Sequence, residues 1–145
     1  MVDLLILIRM LYFLKHNCHN LVSRVSFFAD HEFLGASYEM TLKHYDDLVE
    51  RLIGLGMTPN LLDVQMKAVQ KLQAVPVKYK DNAECFSAIL AINKVLCKNI
   101  DHLCAHTQIS EGTKQLLGNI ADMIETENYK LQQRRSEEHT SDSSH

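Results

Sequence analysis

Tryptophan is absent from these 145 residues, and proline and glycine are scarce, at two and five. Breakers this few, gathered between segments, leave long stretches free for regular structure. No alternation of apolar and polar residues lasts long enough for a strand, which excludes sheet architectures. Neither end carries a Lys/Arg-rich tail, and the formal charge is −3. A protein that grips nucleic acid through its overall charge needs a basic face, so that class is excluded. The cysteines, Cys18, Cys85, Cys97 and Cys104, include no Cys-x-x-Cys pair. That removes zinc ribbons and thioredoxin-type motifs, and buried reduced thiols in a cytoplasmic protein are the expectation. No phosphate-binding glycine loop, zincin motif or Gly-x-Ser-x-Gly elbow occurs. The apolar start, Met1 to Leu14, has Asp3 where a signal peptide needs positive charge, and no small-residue cleavage site follows. Interrupted by Asp3 and Arg9, it is also too short to span a bilayer, so no membrane partner is expected.

Apolar residues make up 46% of the chain. A chain of this length buries roughly 68–70% of its unfolded surface, enough for one domain with a real core. Helical periodicity dominates. A first helix is expected from about Val2 to Val22, with Leu4, Leu5, Leu7, Ile8, Leu11, Tyr12 and Leu14 buried on more than one side. A second starts within a turn of Asp30, whose charge suits the positive end of the dipole, and runs to about Leu55. Gly54, Gly56 and Pro59 end it. A short connector helix spans Asn60 to about Gln73, with Asn60 as N-cap. A third long helix runs from about Asp81 to His106, its inner face holding Phe86, Ile89, Leu90, Val95, Leu96, Ile100 and Leu103. The fourth runs from Glu111 to Arg134 behind a Ser110 cap, with Leu116, Leu117, Ile120, Met123 and Ile124 apolar. On that helix Asp122, Glu125 and Glu127 read as a solvated acidic face. Residues 135–145 contain no apolar side chain, so the domain is expected over 1–134 with a disordered polar tail. The fold class is therefore all-α: a four-helix bundle with a short helix in the long connection between the second and third helices. Among bundle topologies that connectivity is the ferritin-like one.

The chemistry-bearing residues concentrate between His19 and Glu50. His19, His31, Asp46 and Glu50, with Arg51 beside the last, stand in an otherwise apolar, helical stretch. Imidazole with carboxylate suits a transition-metal ion such as iron. Asp46 and Glu50 are one turn apart on one face. At 100° and 1.5 Å per residue, Asp46 lies about 60° around and roughly 22 Å along the helix from His31. One chain cannot close a site from all four. A two-fold dimer can, bringing the acids of one copy to the imidazoles of the other and making two identical sites.

The run His19-Asn-Leu-Val-Ser-Arg-Val-Ser-Phe-Phe-Ala-Asp-His-Glu, followed by Tyr-Asp-Asp-Leu-Val-Glu-Arg-Leu-Ile-Gly-Leu-Gly to Gly56, resembles the Dps family of mini-ferritins. That pattern is a His, a Phe shortly before a His-Glu, then Asp-x-x-x-Glu-Arg closing near a Gly. Here His19, Phe28, His31-Glu32, Asp46 and Glu50-Arg51 fall in register, over about residues 12–59, and Gly-Thr-x-x-Leu-Leu from Gly112 resembles the start of the family's last helix. The resemblance implies a hollow cytoplasmic dodecamer built from two-fold dimers. It implies oxidation of Fe(II), often by hydrogen peroxide, at intersubunit sites, and storage of ferric mineral inside as protection against oxidative stress. His19 and His31 would be iron ligands from one subunit and Asp46 and Glu50 from its partner, with Arg51 supporting. Where the family has an Asp one turn after the second His, this chain has Gly35. The basic N-terminal extension that binds DNA in some members is missing, so DNA binding through the N-terminus is not expected.

Other readings stand beside this one. The same fold with a degenerate site at Gly35 is a non-catalytic shell. A helical adaptor would use its apolar stripes on partner helices. Taken singly, each His is more often solvated than a ligand, and Asp46 with Glu50 makes an ordinary acidic stripe. A di-iron site inside one bundle needs Glu-x-x-His motifs, which the helices lack.

Overall fold

The computed structural model describes residues 1–143, with side chains described through residue 137. The helices are α1 (Val2–Leu21), α2 (Phe27–Gly54), α3 (Leu61–Leu72), α4 (Asn82–His106) and α5 (Glu111–Ser143). Four long helices and a short one in the long α2–α4 connection give the all-α bundle expected. Local chemistry sets most boundaries. Gly56 ends α2 at φ 86°, while the Gly56 and Met57 amides bond back to Ile53 and Leu52 at 3.0 and 2.9 Å. That paired closure needs a left-handed residue at its centre, which glycine supplies without Cβ strain. Asn60 caps α3 through the Asp63 amide at 3.0 Å. Asp81 caps α4 through the Glu84 amide at 3.0 Å, and the Glu84 carboxylate accepts from the Lys80 amide. Ser110 caps α5 at the Thr113 amide. α5 extends past the end expected at Arg134 as far as Ser143, because no Gly or Pro interrupts it there. Of the tail expected over 135–145, residues 144 and 145 lie outside the described residues.

α1 is the hub. It packs on α2, α3 and α4, while α4 pairs with α5. Its buried set of Leu4, Leu5, Ile6, Leu7, Ile8, Met10, Leu11 and Leu14 therefore covers more than one face. Val64 and Ala68 seat α3 against it, and Phe86, Ile89, Leu96, Leu117, Ile120 and Ile124 complete the core. Two expected core positions turn outward: Val95 is 50% and Met123 43% exposed. α2 and α5 pack little against each other, and Met123 lines the cleft of about 340 Å³ left between them. All four cysteines are free, Cys18 and Cys85 fully buried and Cys97 and Cys104 partly so. A hydrogen bond with Cys85, together with burial, holds the Cys18 thiol well above its ordinary range.

A polar clamp holds the start of α2. Asp30, expected only to complement the dipole, is 3% exposed. Arg134 donates to both its oxygens at 2.8 Å, and Asn82 donates to one of them at 2.7 Å. Asn82 also exchanges hydrogen bonds with the backbone of Ser23. The α1–α2 turn, the start of α4 and the far part of α5 are thus tied to one carboxylate. A bidentate guanidinium is the pairing that best offsets burial of such a charge.

Candidate metal centre

His19 stands in the last turn of α1 and His31 in the opening turns of α2, brought together by the reversal between them. Their rings stack, with centroids 3.6 Å apart and planes at 21°. Each ring also bonds the other residue's backbone: His19 Nδ1 to the His31 carbonyl and His31 Nδ1 to the His19 carbonyl, both at 2.7 Å. A carbonyl only accepts, so both Nδ1 atoms carry the proton. In the neutral rings both Nε2 atoms then keep a lone pair, the state a metal-binding imidazole requires. The His19 carbonyl is among those at the end of α1 without a helical partner, so the bond also caps α1. Phe27 stacks on the His31 ring at 4.9 Å, and the Tyr38 edge meets His19 at 5.2 Å. Aromatic contact on several sides fixes the ring orientations.

Gly35, read from the sequence as a position without a carboxylate, also has a steric part. A Cβ there would lie 3.1 Å from Cε1 and 3.3 Å from Nδ1 of His19. Glycine lets the His19 ring lie against α2, so an Asp at this position would have to push that ring aside before offering an oxygen.

Asp46 and Glu50 lie exposed on the outer face of α2. Glu50 borders a shallow depression with Asp47, Arg51, Gly54, Leu55 and Leu116. Lys43 pairs with Asp47 at 2.7 Å and not with Glu50. Arg51 reaches across to the start of α5, where a Cβ on Gly112 would come within 3.0 Å of its Nη1. Within one subunit the two imidazoles are together and the two acids are together, but the pairs are separated along α2 by roughly 22 Å. Among the described residues no group of three or more His, Cys, Asp and Glu side chains could hold a metal ion.

The bundle interior holds a network that sequence reading missed. Glu127, expected on a solvated acidic face, lies inside. Lys15, only 3% exposed, donates from Nζ to Glu127 Oε2 at 2.8 Å and to Thr41 Oγ1 at 3.0 Å. Asn93 Nδ2 donates to the same carboxylate at 2.8 Å, and Ser37 Oγ to its other oxygen. Burial raises the Glu127 carboxyl's affinity for its proton, but Lys15 and the Ser37 and Asn93 bonds outweigh it and hold the pKa below the ordinary carboxylate value. His44 lines the same cleft and is held below its usual pKa by burial and then by Lys15. An ammonium thus fills the place a cation would take beside Glu127. The sequence signal was Lys15 standing one turn after Leu11 within an otherwise buried stripe.

A bundle of four long helices with one long crossover carrying a short helix belongs to the ferritin-like class of folds. A family model of the ferritin-like domain matches residues 9–137, and the chain belongs to that family. A search of curated proteins returns no match. Ferritin-like domains typically bind iron and usually assemble as oligomeric cages, and iron storage or ferroxidase-type chemistry is the function this membership indicates as a class. Among the described residues no helix is long and apolar enough to cross a membrane.

Proposed function

We propose that this chain is a Dps-like cage protein that oxidises Fe(II) at sites shared between two-fold partners and stores the ferric product. The reciprocal Nδ1 bonds of His19 and His31 carry this reading. They hold two Nε2 lone pairs in place, and among the described residues no acid joins them as a third metal ligand. Asp46 and Glu50 are a matching pair of exposed acids lacking an imidazole. Each half supplies what the other is missing, and a two-fold axis joins them twice. Iron enters as substrate. Anionic oxygen from Asp46 and Glu50 favours the more highly charged Fe(III), while the imidazoles suit Fe(II). With peroxide as oxidant, two Fe(II) each lose one electron, the O–O bond breaks, and two protons are taken up to give two waters. The cytoplasmic, dodecameric form and the protection against oxidative stress belong to the same reading.

The test is complementation. His19→Ala/His31→Ala and Asp46→Asn/Glu50→Gln should each abolish the peroxide-driven rise in ferric absorbance after anaerobic Fe(II) loading. Unfolded together, mixed and reassembled, the two variants form mixed dimers in which one of the two sites is whole. Random pairing restores about a quarter of the sites. Undiminished oxidation by the Asp46/Glu50 variant, or no recovery on mixing, would remove the shared site. A bundle that assembles but oxidises nothing even as wild type would point to the non-catalytic shell, which the glycine beneath His19 favours.

A further inference from the structure

A second imidazole pair lies at the other end of the bundle, on α4. His102 and His106 are one turn apart in its last turns, both exposed. Their ring centroids are 4.7 Å apart, with planes at 40°. Apart from this mutual contact, among the described residues no hydrogen bond or ion pair engages either ring. Thr107 breaks the helix immediately afterwards, in extended conformation.

We propose that His102 and His106 form a chelate for a late first-row divalent ion, Cu²⁺ or Zn²⁺. The spacing is that of the two histidines in helical zinc motifs, where residues four apart share a face. Imidazole nitrogens bind such ions at about 2.0–2.1 Å, so the two donors must approach to roughly 3 Å. Rings already 4.7 Å apart, on exposed side chains, reach that by small rotations. The negative end of the α4 dipole favours a cation at the last turn. Water completes the coordination, since among the described residues no carboxylate joins the pair.

Pure imidazole donors follow the order Fe²⁺ < Cu²⁺ > Zn²⁺, with iron held weakest. The α4 pair therefore retains Cu²⁺ or Zn²⁺ in preference to Fe²⁺. It shares no residue with His19, His31, Asp46 or Glu50, so it stands or falls independently of the proposed oxidation.

The experiment uses the full chain carrying His19→Ala/His31→Ala, which removes the other pair. Titration with Cu²⁺, followed by calorimetry and electron paramagnetic resonance, should show one site per chain with two nitrogen ligands. Adding His102→Asn or His106→Asn should weaken that site at least about tenfold and leave one nitrogen in the spectrum. Both positions are exposed, so helicity should be unchanged, which circular dichroism verifies. An affinity and nitrogen count unaltered by either substitution would overturn the proposal.

Discussion

Replacing Lys15 by Met tests the interior network most sharply. Met keeps the stem and removes the charge, leaving the Glu127 carboxylate with only Ser37 and Asn93. Removing one partner of a buried ion pair costs about 3–5 kcal/mol. The Glu127 side chain is 13% exposed and keeps two hydrogen bonds, so the lower end, about 3 kcal/mol at neutral pH, is expected. For a chain of this size that lowers Tm by roughly 6–12 °C. The pH dependence carries the sharper sign. In the wild type Glu127 has a depressed pKa, so its stabilisation is full above the unfolded value of about 4.3 and is lost as pH falls through the lower folded value. In Lys15→Met, burial is left to dominate and the folded pKa moves above the unfolded one. The Glu127 contribution then reverses, being present below about pH 4.3 and lost as pH rises through the new folded value. Urea melts at fixed protein concentration should therefore give nearly equal stabilities near pH 4 and a gap that widens toward pH 7. Lys15→Met/Glu127→Gln should close most of that gap, since a neutral amide keeps the hydrogen bonds without the stranded charge. A loss under about 1 kcal/mol at pH 7, or a gap independent of pH, would refute the buried pair as described.

Gly35→Ala should displace the His19 ring by a few tenths of an ångström, since its Cβ would meet Cε1 at 3.1 Å. Lowered affinity for Co²⁺, used as a spectroscopic stand-in for Fe(II), with Tm nearly unchanged is the expected result, and unchanged Co²⁺ spectra would show that the ring has room to spare. Asp30→Ala should cost about 3–5 kcal/mol, because Arg134 and Asn82 lose a shared buried partner. Thermal melts check it, and a loss under about 1 kcal/mol would show that the clamp is redundant.

The helix layout was open to sequence reading because its signals are local. Gly56, Asn60, Asp81 and Ser110 act within a few residues of themselves, and each does in the structure what its chemistry foretells. His19 and His31 could be singled out for the same reason, as imidazoles in apolar surroundings. What their rings do to each other could not, because it depends on the α1–α2 reversal that stacks them. The steric part of Gly35 was hidden for a related reason. In sequence it is a position lacking a carboxylate, whereas in space it is where the His19 ring rests.

Charged residues divided along the same line. Asp30 and Glu127 look like helix-end and surface acids, and Lys15 like an interruption of a stripe. Lys15 and Asp30 are buried and Glu127 is mostly so, each against partners on other helices. Sequence by itself determined where the helices begin, where all but α5 end, and, Val95 and Met123 apart, which face of each is apolar, since those depend on neighbours three or four residues away. Only the tertiary structure decided which charges neutralise one another, because Lys15 and Glu127, or Asp30 and Arg134, meet only once separate helices have packed.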